Sequence, residues 1–157
     1  MTPSAKTVDE SRVELNQFMM PEHANLLGNV HGGIILKLVD EAGALCAIRH
    51  AQRPAVTVAI DSMTFHDPVR VGDVLCLRAQ LNYVGRTSME VGIEVIAENP
   101  ITRVQTRTNS AMAVYVALGE DGNPVEVPRL ELRTDDERKR VELARARQER
   151  RRREAAL

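Results

Sequence analysis

Apolar residues recur every three or four positions in one part of the chain. Between positions 33 and 50 this spacing predicts a helix, and the helix should end before Pro54, because the residue ahead of a proline disfavours helical backbone. The residues of its apolar stripe are Ile35, Leu38, Ala42 and Cys46. Gly43, inside the helix, costs about 1 kcal/mol relative to alanine but admits another backbone. We therefore expect a partner subunit to complete the packing.

The rest of the chain has mainly the two-residue spacing of strands. Val56, Val58 and Ile60, for example, share one face. Short turns between the later strands favour antiparallel pairing, and one apolar helix on such a sheet is an α+β layer architecture. The five predicted strands span residues 12–20, 55–65, 74–84, 87–98 and 104–118.

The length of 157 residues fits one domain with two extensions. We assign residues 1–11 to a flexible leader, 12–130 to the folded domain and 131–157 to a charged C-terminal helix. That helix begins with a capping box, Thr134 to Glu137. Because it contains few apolar residues, we expect it to be solvated or weakly docked.

Charge and composition exclude several functions. A net charge of −1 gives the chain no overall attraction for nucleic acid, and the terminal arginines are interpreted as a solvated helix end. Neither the two cysteines nor the four histidines have metal-ligand spacing, so no metal is expected. Without a secretory signal or an apolar run of membrane-spanning length, a cytoplasmic protein with no membrane span is expected.

A carboxylate pair, Asp40 and Glu41, interrupts the apolar helix. Desolvating a charge without partners costs several kcal/mol, so Asp40 needs either a structural partner or a chemical role. On residue types alone, an ion pair with Lys37 or Arg49 is the simpler interpretation.

Three separated strings then decide between these interpretations: HANLLGNVHGGIILKLVDEAGALCAIRH, FHDPVRVGD and VGRTSMEVGIEV. They resemble the hotdog-fold acyl-CoA thioesterases, in particular the cytosolic acyl-CoA hydrolase family. The resemblance implies a five-stranded antiparallel sheet wrapped around one long central helix, in homodimers that assemble to a homohexamer. It implies hydrolysis of acyl-CoA to free fatty acid and coenzyme A. No cofactor is expected, since coenzyme A belongs to the substrate and product.

The resemblance also assigns roles to residues around the helix start. Asp40 matches the catalytic carboxylate, as general base or nucleophile, and Asn25 matches the residue that positions water or the carbonyl. The two are implied to meet across a dimer interface. Unpaired amides at Gly32 and Gly33 would stabilise the oxyanion, although the glycines could simply permit a tight turn.

Four further residues are candidates for substrate binding. His31 precedes the glycine pair and could contact substrate or be an ordinary loop histidine. In the VGRTS segment, Arg86, Thr87 and Ser88 suit the phosphates of coenzyme A, with a plain turn as the alternative.

Two other functions remain open at this point. An acyl-thioester dehydratase would pair a histidine with an acid, and His31 is available. A non-catalytic acyl-CoA-binding regulator could use the same fold, although the presence of both Asn25 and Asp40 argues against it.

Overall fold

A computed structural model describes residues 4–61 and 63–157 of the chain. The long helices are α1, Gly32–Ala51, and α2, Asp135–Ala155. The strands are β1 Lys6–Thr7, β2 Val13–Phe18, β3 Ala55–Asp61, β4 Val74–Val84, β5 Ser88–Glu98, β6 Gln105–Ala117 and β7 Leu130–Glu131. None of the helices in the described ranges combines the length and hydropathy that a membrane crossing requires.

Five strands form one antiparallel sheet in the order β2-β4-β5-β6-β3, and β1 pairs with β7 beside it. The predicted α+β architecture, with a five-stranded antiparallel sheet around one long helix and a charged helix at the C-terminus, is confirmed. The prediction for β3 is wrong in one respect, because the strand ends at Asp61 and not at residue 65.

Helix α1 lies against the inner face of the sheet. Its buried residues include the whole predicted stripe, and the burial of Ile35 and Leu38 stabilises the fold by roughly 1.5–3 kcal/mol each. The helix ends at Gln52, whose backbone is left-handed (φ 52°) and whose N–H donates to the Ile48 carbonyl. The centre of the sheet facing α1 is the core of the molecule.

Helix α2 covers part of the outer face of the sheet. Its N-cap is Thr134, whose hydroxyl accepts from the Glu137 N–H at 3.1 Å, as the capping box predicts. The prediction of a solvated or weakly docked helix is wrong for the last turns. There Arg147 and Arg151 bind Glu90 of β5, whose side chain is 3 % exposed.

Residues 6–11, which the sequence assigns to a flexible leader, have regular structure. Lys6–Thr7 form β1, Asp9–Ser11 form a short 3-10 helix, and Val8 is 1 % exposed. The Lys6 ammonium donates to the carbonyl of His50 at the end of α1. These contacts attach residues 6–11 to the domain, so this part of the chain is not a flexible leader. The division of the chain at residues 11 and 130 stays a prediction.

Candidate active site

Asp40 lies in the middle of α1, and two hydroxyl groups bind one of its carboxylate oxygens. Thr57 of β3 donates to Oδ1 at 2.8 Å, and Tyr115 of β6 donates to the same atom at 3.1 Å. Thr57 and Tyr115 are direct neighbours across the two strands, so the sheet itself places both hydroxyls under the helix. The structure therefore holds Asp40 by hydrogen bonds between α1 and the sheet.

Neither cation proposed as a partner of Asp40 binds it. Lys37 pairs with Glu41 at 3.8 Å, and Arg49 donates to the carbonyl of Arg12. Among the described residues Asp40 forms no ion pair, so its charge is met only by neutral donors.

Gly43 makes room for the tyrosine. A β-carbon at this position would lie 2.2 Å from the Tyr115 hydroxyl oxygen, closer than any non-bonded contact allows. The expectation that Gly43 admits a partner subunit is therefore wrong, because the space is occupied by a side chain of the same chain. Burial, and then the negative charge of Asp40, raises the pKa of Tyr115 well above its ordinary value.

Sequence reasoning missed Thr57 and Tyr115. Both occur in alternating strands, where a single threonine or tyrosine has the same pattern as any other sheet residue. Their contact with Asp40 spans 17 and 75 positions along the chain, so no local spacing signals it.

Asn25 lies in the loop ahead of α1, where its side chain shapes the loop. The Oδ1 atom accepts from the N–H groups of Leu27 at 2.9 Å and Asn29 at 3.2 Å, and the Asn25 N–H donates to the Asn29 carbonyl. No hydrogen bond joins Asn25 to Asp40 within the described chain. Beside Asn25, Leu26 and Leu27 are fully or almost fully exposed at the loop tip.

The start of α1 has one engaged and one open amide. The Gly33 N–H donates to Nδ1 of His31 at 3.0 Å, so His31 is the N-cap of the helix and its proton lies on Nε2. In the described part of the chain the Gly32 N–H makes no hydrogen bond, and the Phe65 ring lies next to this residue. Of the two predicted oxyanion donors, Gly32 is the open one.

Arg86 and Thr87 lie in the connection between β4 and β5, and Ser88 is the first residue of β5. The carbonyls of Arg86 and Thr87 accept from Val127 and Ala117, and Ser88 accepts from the Gly85 N–H. The first two of these bonds tie the connection to the last residue of β6 and to the segment that follows it, and the third closes the turn itself. Among the described residues, no hydrogen bond connects Arg86, Thr87 or Ser88 with the start of α1 in the same chain.

The described residues offer neither a cluster of metal ligands nor a reactive cysteine. Residues 4–61 and 63–157 contain no group of three or more His, Cys, Asp or Glu side chains that could hold a metal ion. Burial raises the pKa of the Cys46 thiol to about 11, so this cysteine stays protonated and is a poor nucleophile.

Comparisons with known proteins show which family the chain resembles. Residues 27–103 match the thioesterase superfamily. The uncharacterized acyl-CoA thioester hydrolase YkhA of Bacillus subtilis is 32% identical, over 87% of this chain and 79% of that protein. The cytosolic acyl coenzyme A thioester hydrolase of Rattus norvegicus is 35% identical over 90% of this chain, which spans only 38% of the rat protein.

Solved structures show the same fold over nearly the whole chain. An apo-hexameric acyl-CoA thioesterase is 38% identical, with a TM-score of 0.93 and 99% of both chains covered. An acyl-CoA hydrolase from Staphylococcus aureus, solved with butyryl coenzyme A and coenzyme A, is 29% identical, with a TM-score of 0.88, covering 97% of this chain and 93% of that one.

Three variants of the Staphylococcus aureus hydrolase have also been solved, each with alanine in place of an asparagine, an aspartate or a threonine. In that protein the three positions follow one another at the same spacing as Asn25, Asp40 and Thr57 do here. From the extent of these likenesses, the chain belongs to the acyl-CoA thioester hydrolase family of the thioesterase superfamily.

Proposed function

We propose that this enzyme hydrolyses acyl-CoA thioesters to a free fatty acid and coenzyme A at a site centred on Asp40. The observation that carries the proposal is a carboxylate in the middle of an apolar helix, held by two hydroxyls and without an ion-pair partner among the described residues. A carboxylate neutralised by Lys37 or Arg49 would be a weaker base. The family supplies the substrate class.

The reaction needs only water as a second substrate. As a general base, Asp40 takes a proton from water while the water oxygen bonds to the acyl carbon; the carbon–sulfur bond then breaks and the thiolate takes up a proton. As a nucleophile, Asp40 bonds to the acyl carbon, the carbon–sulfur bond breaks and the coenzyme A thiolate leaves and takes up a proton; water then hydrolyses the acyl anhydride to the free acid and the Asp40 carboxylate. In both cases the carbonyl oxygen gains negative charge, and the open Gly32 N–H of the subunit that supplies Asn25 donates to it. Gly32 of the same chain is too distant, because it lies about 12 Å along α1 from Asp40. For Gly33 to donate as well, the His31 side chain must leave its N–H.

Asn25 acts on the Asp40 of a neighbouring subunit. Two features of the chain support this arrangement: Asn25 makes no hydrogen bond to its own Asp40, and the adjacent Leu26 and Leu27 are exposed apolar side chains that a partner would cover. In the same way, Arg86, Thr87 and Ser88 bind the phosphates of coenzyme A held mainly by another subunit.

The assembly is a homodimer that associates to a homohexamer. Strand β3 is an edge of the sheet, and its Val56 and Val58 are 44% and 55% exposed. An exposed apolar edge strand is a natural surface for pairing with a second copy. The similarity to a hexameric thioesterase supports the larger assembly, and the similarity to the cytosolic rat enzyme supports a cytoplasmic location.

The first experiment measures release of free thiol from a panel of acyl-CoA substrates, from acetyl to palmitoyl, and hydration of an enoyl-CoA in parallel. We expect thiol release with at least one chain length and no hydration. Hydration without thiol release would favour the dehydratase alternative, and tight binding of acyl-CoA without turnover would favour the regulator.

The second experiment tests the shared site. Asn25→Ala and Asp40→Ala subunits, each inactive alone, are unfolded together, refolded and assayed. Mixed assemblies contain sites with both native residues, so activity should return to a fraction of the wild-type value. Two inactive variants whose mixture also stays inactive, in hexamers of normal size, would contradict the shared site.

A further inference from the structure

The chain has two tyrosines, and one of them lies under the proposed catalytic residue. Tyr115 is fully buried on the inner face of β6. Its hydroxyl donates to Asp40 Oδ1 at 3.1 Å and lies 3.2 Å from the Asp40 carbonyl oxygen. It thus contacts both the side chain and the backbone of that residue.

Gly43 is what permits this contact. A β-carbon there would lie 2.2 Å from the Tyr115 hydroxyl oxygen and 2.9 Å from the ring carbon that carries it. Glycine in the middle of a helix costs about 1 kcal/mol relative to alanine. Glycine is nevertheless required here, because Gly43 lies in the turn of α1 that the Tyr115 hydroxyl contacts and a larger residue would clash with it.

The two oxygens of Asp40 differ in their contacts. Oδ1 accepts from both Thr57 and Tyr115, which are paired across β3 and β6. Within the described chain Oδ2 accepts no hydrogen bond. Two donors on one oxygen fix the rotation of the carboxylate and leave Oδ2 as the atom that can face water or the thioester.

The tyrosine can only be a donor here. Because burial and the charge of Asp40 raise the pKa of Tyr115, the phenol is protonated at neutral pH and can donate. A hydroxyl donating to an ionised carboxylate favours the ionised form, which is the form that both proposed mechanisms need.

We propose that Tyr115, seated against Gly43, is a positioning residue that fixes Asp40 through Oδ1 and directs Oδ2 at the reacting centre. The inference rests on the proposed role of Asp40. Thr57 donates to the same Oδ1 atom but lies on the exposed edge strand β3, whereas Tyr115 is fully buried on β6.

The test is Tyr115→Phe, which removes one oxygen atom and keeps the ring. Hydrogen bonds to charged groups are the stronger class, so kcat should fall roughly tenfold. KM should stay within about twofold, because Tyr115 does not touch substrate. A loss confined to kcat, with KM and the unfolding midpoint near their wild-type values, is the result that a positioning role predicts and that a general loss of packing would not give.

Tyr83→Phe is the matched control. Tyr83 lies on β4, with the Arg145 guanidinium 5.7 Å from its ring centre and no contact with Asp40. This variant should leave kcat and KM unchanged. Equal changes of kcat in the two variants, or a Tyr115→Phe enzyme with wild-type kcat, would overturn the inference.

Two additions keep the result interpretable. Asp40→Asn separates the two proposals: if it keeps most of its activity, the role of Asp40 itself fails, and if it is inactive while Tyr115→Phe is normal, only the positioning role fails. Should Tyr115→Phe misfold, 3-fluorotyrosine in the Tyr83→Phe background labels Tyr115 alone. The more acidic phenol is a stronger donor to Asp40, so kcat should change relative to Tyr83→Phe while KM stays the same; an unchanged kcat would refute the role.

Discussion

Replacing Glu90 by glutamine should loosen α2 from the outer face of the sheet. The Glu90 carboxylate accepts two hydrogen bonds from Arg147, one from Nε at 2.9 Å and one from Nη2 at 2.8 Å. It also accepts from Arg151 at 2.8 Å and from Asn82 at 3.0 Å. Apart from this cluster, α2 buries little, since its buried residues are Glu137 and Ala144. The ion cluster is therefore the main attachment of the last turns.

The size of the effect follows from burial. Glu90 is 3% exposed, and the side chains of Arg147 and Arg151 are 20% and 19% exposed, so solvent screens the cluster weakly. Removing one partner of a buried pair costs about 3–5 kcal/mol, and the lower end applies here because Arg151 keeps Asp61 at 2.6 Å. For a chain of this length, a loss of about 3 kcal/mol lowers Tm by roughly 6–12 °C.

The assay is thermal and urea unfolding, with hydrogen exchange followed along α2. Glu94→Gln is the matched control, because Glu94 lies on the same strand in a looser pair with Arg107 at 3.6 Å, with 38% of its side chain exposed. It should cost less than about 1 kcal/mol. If Glu90→Gln is no more damaging than Glu94→Gln, or if exchange in the last turns of α2 does not rise, the reasoning is refuted.

The same cluster predicts a pH dependence. Burial opposes ionisation of Glu90, but the hydrogen bonds from Arg147, Arg151 and Asn82 outweigh it and lower the pKa of the carboxyl below 4.5. The unfolded chain therefore binds the proton first, so the stabilisation is complete above about pH 4.5 and is lost as the pH falls further. The difference between wild type and Glu90→Gln should shrink over that window.

Three further predictions concern buried groups. Gly43→Ala should lower both urea midpoint and kcat, because about 1–3 kcal/mol of overpacking against Tyr115 exceeds the helix gain of about 1 kcal/mol; an unfolding midpoint above wild type would contradict this. Burial lowers the pKa of His50, whose Nε2–H donates to the Pro128 carbonyl, so stability should decline as the pH falls below about 6.5; His50→Gln should decline less between about pH 7 and 5 in urea titrations. The Cys46 thiol should react with a maleimide only on the timescale of unfolding, and fast labelling at that residue in the native protein would show that α1 opens locally.

Much of the fold follows from local patterns in the sequence. The predicted strand 74–84 has the same bounds as β4, and the helical stripe lies on the buried face of α1. Periodicity succeeds here because one face of each element meets the same core. It does not account for β3, where the register shifts between Thr57 and Ala59 and the apolar side chains of Val56 and Val58 are exposed.

Local sequence patterns do not identify the partners of Asp40 and Glu90. The sequence indicates that the Asp40 carboxylate needs a partner, but the structure supplies two hydroxyls on distant strands and not a nearby cation. Similarly, Arg147 and Arg151 do not differ in sequence from the neighbouring exposed arginines. They are distinguished by their position, four residues apart on the face of α2 that meets the buried Glu90. This contact arises from tertiary packing and leaves no local signal in the sequence.

The turnover of Asp40→Asn compared with Glu41→Gln tests the central claim most directly. The two carboxylates are adjacent on α1. Glu41 pairs with Lys37 on the surface, whereas Asp40 accepts hydrogen bonds from the Thr57 and Tyr115 hydroxyls of the sheet. With the best acyl-CoA of the panel, we predict that kcat for Asp40→Asn falls about a thousandfold or more, with KM and Tm near wild type, and that Glu41→Gln stays within about twofold. An Asp40→Asn enzyme that still releases coenzyme A at more than about a tenth of the wild-type rate would contradict the account.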